Sequence, residues 1–221
     1  MEDASFKIIT LSWKNADARD LVEFEVVCCP TGRNGDPIIS SKVASLRGWV
    51  LDLGYYPTPR DYRVLDLFDM RSGHAEDVFH VLTGRRAMIK RALPDLDLEC
   101  SGRFLHLEEL SVEEKFRGKR LGLRLIREAQ NMFARYDTVA IVKAHPDGTK
   151  PSDDDCRKLA DYYASDPTTR FKPVSVRSLP GWLISYWDEP TVHDGDAPFW
   201  YLEDVPVTSS RSANDGAVTS T

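Results

Sequence analysis

The sequence has no apolar run approaching the ~20 residues that a membrane-spanning helix needs. Its N-terminus, MEDASFKIITLSW, has no basic stretch ahead of an apolar core, so the secretory-signal pattern is missing. Both absences lead to the expectation of a cytoplasmic protein with no membrane partner. Cysteine is sparse: Cys28, Cys29, Cys100 and Cys156 form no C-x-x-C pair and no metal-ligand spacing. Cys28 and Cys29, adjacent on a strand, would point to opposite faces, which disfavours a bridge between them and favours buried free thiols. An excess of positive charge is lacking too. Lys and Arg number 29 against 35 Asp and Glu, a net charge of -6. General nucleic-acid binders carry a basic footprint, so no nucleic-acid partner is expected. The acidity suits a cationic acceptor such as an amine. No internal repeat is visible.

What is present is ordinary globular composition, 42% hydrophobic and 29% charged. The 221 residues suffice for one domain with a sizeable core or two small ones. Residues 6–13, FKIITLSW, read as a first strand. Val22, Phe24 and Val26 alternate with Glu23 and Glu25, as in a half-buried strand over 21–29. A loop of turn residues follows over 30–37, then a strand over 38–53 with an interruption at Gly48. A helix is expected over 72–82 with Ser72 as its cap, and a short basic helix over 85–92 that Pro94 ends. Farther on, 138–144 suits a buried strand. Ser152 with Asp155 approximates a capping box for a helix that carries Tyr162 and Tyr163. Strands at 171–176 and 182–187 flank a Pro180-Gly181 turn, and 198–202 reads as an edge strand. The small, polar residues 207–221 read as a disordered tail. His145, Asp147 and the aspartates at 153–155 invite a metal reading, but their spacing matches no metal-binding loop, and helix capping explains the acids. No metal is expected.

The most informative stretch is 104–133, FLHLEELSVEEKFRGKRLGLRLIREAQNMF. An apolar strand (Phe104, Leu105, Leu107, Leu110, Val112) leads to Arg117-Gly118-Lys119-Arg120-Leu121-Gly122, then to a helix striped by Leu121, Leu125, Ile126, Ala129, Met132 and Phe133. Arg120, Arg124 and Arg127 fall on the opposite face. The first amides of a helix have no internal partner, and the helix dipole adds partial positive charge there. Gly118 and Gly122 let backbone approach a ligand closely. The turn reads as a pyrophosphate cradle, the plainer alternative being a core helix with a solvated basic face.

This segment resembles motif A of the GNAT superfamily of N-acetyltransferases, Q/R-x-x-G-x-G/A. Arg117 fills its first position and Gly122 its last, while Arg120 stands where the family has its middle glycine. Leu110-Ser111-Val112 looks like the end of the family's fourth strand, and the helix ending in Tyr162-Tyr163 like its later tyrosine helix. The resemblance covers roughly 100–187. It implies an α/β (α+β) fold with a central mixed, mostly antiparallel sheet flanked by helices. It also implies one domain over 1–206, with an acceptor-side region at 1–100 and an acetyl-CoA-binding core at 100–187. The first half departs from the family layout: two or three strands precede the first clear helix, where one strand and two helices are usual.

The implied reaction moves an acetyl group from acetyl-CoA to an amine. Arg117, Gly118, Lys119, Arg120, Leu121 and Gly122 would hold the phosphates. Leu110, Ser111 and Val112 would position the thioester, where one oxyanion donor is typically worth ~10²–10³ in rate. Tyr163 is the first choice for the acid, with Tyr162 one helical step of about 100° away as the fallback. Glu108 and Glu109 are the chosen bases, with Glu108 first and His106 a further candidate. Simple alternation puts His106 and Glu108 on one face and Glu109 on the other, unless a bulge intervenes. Set against this is a catalytically inactive acyl-CoA-binding or protein-interaction module on the same fold. The acceptor's identity and the oligomeric state, a homodimer included, stay open at this level.

Overall fold

A computed structural model describes residues 6–14, 21–69, 73–99, 101–135, 137–146, 151–174 and 181–187. The strands are β1 (Phe6–Lys14), β2 (Leu21–Pro30), β3 (Ala44–Asp52), β4 (Arg103–Val112), β5 (Thr138–Lys143), β6 (Lys172–Pro173) and β7 (Trp182–Trp187). The helices are α1 (Tyr62–Asp69), α2 (Gly73–Gly84), α3 (Arg86–Ala92), α4 (Leu121–Phe133) and α5 (Asp153–Ala164). The strands join in one seven-stranded sheet, ordered β1-β2-β3-β4-β5-β7-β6. Only β4 and β5 run parallel; every other pair is antiparallel. Among the described residues no helix is long and apolar enough to cross a membrane.

Alternation along the strands divides the core in two. Phe24, Val26, Leu46, Leu105, Leu107, Ala140 and Val142 point to one face, where α4 and α5 lie. The α4 stripe packs there through Leu121, Leu125, Ile126, Ala129 and Phe133, and the Phe133 ring stacks on Phe24 at 4.4 Å. Each large apolar side chain so buried stabilises the fold by roughly 1.5–3 kcal/mol. Trp49, Leu51, Phe104, Val139, Ile141 and Trp182 point to the other face, against α1, α2 and α3. Those three helices sit between β3 and β4 in the chain, so three strands precede the first helix, as the sequence leads one to expect. The capping box forms: Ser152 Oγ accepts from the Asp155 amide at 3.2 Å, and the Asp155 carboxylate reaches back to Ser152.

Some expectations shift. The strand expected over 38–53 begins only at Ala44, because Ile39–Ser41 form a single 3-10 turn. Alternation of apolar and acidic residues over 64–70 hid a helix, α1, whose Val64 and Phe68 recur at i, i+4 and are both buried. The strand at 171–176 reduces to Lys172–Pro173 among the described residues. Ser72, the strand expected at 198–202 and the tail at 207–221 lie outside them.

The loop after α5 is tied to α4. Asp166 is buried, accepts from Arg127 Nε at 2.7 Å and Nη2 at 3.0 Å, and caps the Thr168 amide at 2.9 Å. Arg127, placed by the sequence on the α4 face opposite the apolar stripe, is therefore a strut. Burial alone would raise the Asp166 carboxyl, but the Arg127 and Thr168 donors outweigh it and hold the group below its usual range. A depressed folded pKa stabilises fully above the unfolded value of about 3.9 and loses that stabilisation as pH falls through the folded one. We expect Asp166→Ala to cost about 3 kcal/mol at neutral pH. The deficit should shrink as the pH of a urea melt is lowered below the ordinary aspartate range.

Candidate active site

The site begins where two paired strands part. Parallel pairing of β4 with β5 runs only from Arg103↔Thr138 to Leu107↔Val142. Beyond it β4 continues to Val112 against β3 alone, so its β5-facing edge is unpaired by any strand from Glu108 onward, with the Val112 carbonyl accepting from Arg117 Nε at 3.1 Å. A bulge marks the parting: Arg47 faces Glu109 and Gly48 faces Leu107, leaving Glu108 as the extra residue. This overturns the simple alternation read from sequence. Leu105 and Leu107 face α4, and after the bulge Leu110 and Val112 do so again. Gly48 makes the bulge possible, since a Cβ there would lie 2.3 Å from the His106 carbonyl oxygen. A cleft of about 440 Å³ fills the space between the strands.

At one end of the cleft lies the turn before α4. Gly118 and Arg120 both have left-handed backbone, with φ of 76° and 58°. Glycine adopts this conformation without cost, whereas an L side chain pays about 1–2 kcal/mol. Arg120 therefore takes up the conformation that a glycine would favour at this motif position. Among the described residues, no hydrogen bond occupies the amides of Gly118, Lys119, Arg120, Leu121 or Gly122. The next amide, Leu123, donates to Tyr162 Oη at 3.2 Å. The turn is thus open to an anion, and its helix end is finished by a side chain from α5. We expect Arg120→Gly to stabilise the fold by roughly 0.5–1 kcal/mol, strain relief being partly offset by the freer unfolded chain. Urea-melt midpoints would read that gain.

The structure gathers most of the residues picked from sequence. Glu108, Glu109, Leu110 and Val112 line the cleft from β4. Arg117, Gly118, Arg120, Leu121 and Gly122 line it from the turn, and Tyr162 and Tyr163 from α5. Ser111 and Lys119 are not in the lining. Ser111 is exposed opposite Ser45 on β3, and Lys119 Nζ sits 5.3 Å from the Phe116 ring. His106 is buried on the far face, between Trp49 at 5.1 Å and Trp182 at 5.9 Å, and does not reach the cleft.

The two acids differ. Glu109 pairs with Arg47 at 3.7 Å, while Glu108 has no partner among the described residues. The two tyrosines differ as well. Tyr163 is buried at 4% exposure in the α4-side core. Tyr162 is half-buried, and its hydroxyl accepts from Leu123 and keeps its own proton to donate. Burial raises the Tyr162 phenol above its ordinary value, and the Leu123 amide and Arg120 charge reduce that rise without cancelling it. Tyr162 is therefore a neutral donor at physiological pH.

No family model matches the chain, and no curated protein matches it. It is similar to solved structures at low identity. One is AtaT complexed with acetyl-methionyl-tRNAfMet, with 11% identity, a TM-score of 0.39 and coverage of 83% of this chain and 95% of that one. Another is an agmatine N-acetyltransferase mutant in its apo form, with 12% identity, a TM-score of 0.38 and 73% of each chain covered. A third is Arabidopsis thaliana NAA60 with a bisubstrate analogue, with 13% identity, a TM-score of 0.34 and coverage of 76% of this chain and 75% of that one. At such TM-scores the likeness decides nothing about this chain. Its fold stands on the strand order, and its site on the parted strands.

Sequence reasoning missed Lys143 and singled out His145 only for a metal alternative; both line the cleft, from β5 and the residues after it. Lys143 Nζ reaches Asp77 of α2 at 3.2 Å and lies 5.4 Å from the Trp182 ring, pinning the cleft wall to the helical layer. The signal for both was their place at the C-terminal end of a strand parallel to β4, where parting strands open a crevice. Among the described residues no three His, Cys, Asp or Glu side chains gather as a metal site would require. Asp147 of the metal alternative lies outside them.

Proposed function

We propose that the chain is an acetyl-CoA-dependent N-acetyltransferase acting on a primary amine of a small molecule or protein. One observation carries the reading: four unoccupied amides, those of Gly118, Arg120, Leu121 and Gly122, open onto a cleft that leads along a free strand edge at Leu110 to an unpartnered carboxylate and a phenol. The fit to acetyl-CoA is concrete. The left-handed turn with Arg117 and Arg120 suits a diphosphate. The bare Gly122 leaves the room that a Cβ, 2.9 Å from Leu110 Cδ2, would fill. The edge at Leu110 and the Val112 amide, beside the Val112 carbonyl that Arg117 Nε already occupies, suits an amide-bearing arm laid alongside as an added strand.

Bound there, acetyl-CoA supplies an activated acyl group. The chain's own residues would then do three things. The backbone N–H groups of Leu110 and Val112 polarise the carbonyl oxygen. Glu108 takes the proton that an ammonium must lose before its nitrogen can attack. Tyr162 donates its phenolic proton to the departing thiolate. The open position of its hydroxyl makes Tyr162, the second choice from sequence, the better acid than the buried Tyr163.

Calorimetry with acetyl-CoA tests the binding half, and no heat at high micromolar ligand would end the reading. Thiol release with a panel of amines tests the chemistry. Binding without release would leave the inactive-module alternative standing. Tyr162→Phe should lower kcat about 10²-fold with KM little changed, since general-acid groups typically contribute 10²–10⁴. Tyr163→Phe should lower stability more than kcat. The reverse pattern would return the acid role to Tyr163.

A further inference from the structure

Strand β1 is the edge of the sheet, and among the described residues its outer side pairs with nothing. Edge strands in monomeric proteins are usually blunted by proline, a bulge, shortness or lysine. β1 has lysine, at Lys7 and Lys14, but not the other three: it is nine residues long, lacks proline, and keeps unbroken register with β2 from Phe6↔Pro30 to Lys14↔Val22. Its two faces differ. Phe6 and Ile8 pack toward α4, while Lys7, Ile9, Leu11 and Trp13 share the opposite face, where Leu11 is 39% and Trp13 47% exposed. Among the described residues, the core cluster on that side includes Leu21 of β2, and Val27 and Cys29 of the same face are buried as well.

We propose that β1 pairs antiparallel with β1 of a second copy of this chain, about a two-fold axis at Thr10, so that the sheet runs continuously through a homodimer. Symmetry fixes the register. A two-fold pairing keeps each face in line with itself, and overlap of all of Phe6–Lys14 requires the axis to pass through the central residue. Ile9 then faces the partner's Leu11, and Leu11 faces the partner's Ile9. Lys7, which has no partner among the described residues, faces the partner's Trp13. The Trp13 indole N–H donates to the Glu23 carboxylate at 3.0 Å. Lys7 thus meets a ring and a nearby carboxylate, twice over, and it is this charge complementarity that selects a second copy as the occupant.

Sedimentation of the full chain tests the proposal without acetyl-CoA, so its outcome is independent of the acetyltransferase reading. The chain should sediment as a dimer. The Ile9→Lys/Leu11→Lys variant sets lysine against lysine at two symmetric positions and should be a monomer. Ile9→Lys/Leu11→Glu sets opposite charges together and should restore a dimer that weakens with salt. Circular dichroism checks that each is folded. In case the double-lysine variant does not fold, Thr10→Cys places a thiol against its own copy at the axis and should cross-link under mild oxidation, where the natural chain does not. A monomeric natural chain, a persistent dimer in the folded double-lysine variant, a charge-swapped variant that stays monomeric, or no cross-link at residue 10 would each overturn the proposal.

Discussion

Gly122→Val is expected to weaken acetyl-CoA binding by about 100-fold or more, about 2.7 kcal/mol, with a smaller effect on stability. A Cβ at residue 122 would lie 2.9 Å from Leu110 Cδ2 and 3.1 Å from Tyr162 Oη. Both atoms are far ends of side chains, so the fold can yield, but only into the cleft. Leu110 would shift across the free strand edge, and the Tyr162 hydroxyl would leave the Leu123 amide. Valine thus fills the space a diphosphate needs and displaces the proposed acid in one step. Calorimetry would read the first effect. The kcat of whatever complex still forms would read the second. If binding is untouched, the phosphates do not sit at this turn and the proposed function loses its anchor.

Gly48→Val should produce the largest loss of stability of the substitutions considered, about 3–5 kcal/mol, or a fall in Tm on the order of 10 °C. The added Cβ would meet the His106 carbonyl oxygen at 2.3 Å and Phe24 Cζ at 2.7 Å. Neither can step aside cheaply. The carbonyl belongs to a central strand paired on both sides, and Phe24 is stacked on Phe133. Relief requires β3 and β4 to separate at the bulge, which would also move Glu108. A urea melt within ~1 kcal/mol of the natural chain would show that the strands do not approach so closely, a discrepancy beyond the usual error of such measurements.

The elements nearest the motif were legible because each has a local cause. The α4 stripe, the turn glycines and the Ser152–Asp155 box depend on residues a few positions apart. α1 was not legible: its apolar and acidic residues alternate almost as a strand's do, and only packing against Trp49 and Phe79 resolved the period, with Phe68 touching both. The faces of Glu108 and Glu109 were hidden for another reason. A bulge arises from two strands at once, and Gly48 lies far from residue 108 in the chain. Tyr162 and Tyr163 could not be separated by sequence, because their difference lies in tertiary contacts: the Leu123 amide of α4 reaches the Tyr162 hydroxyl, while Tyr163 is buried in the core.

By itself, then, the sequence determined the strand-turn-helix at 104–133, with glycines in its turn, and the tyrosine helix beyond it, because short-range periodicity and the conformational range of glycine act locally. Tertiary structure alone decided that β4 and β5 part after Leu107, that Glu108 rather than Glu109 stands unpaired in the gap, that His106 is withdrawn between two tryptophans, and that Tyr162 caps α4. Each of these follows from contacts between residues far apart in the chain, where packing and hydrogen-bond geometry, rather than local preference, select the outcome.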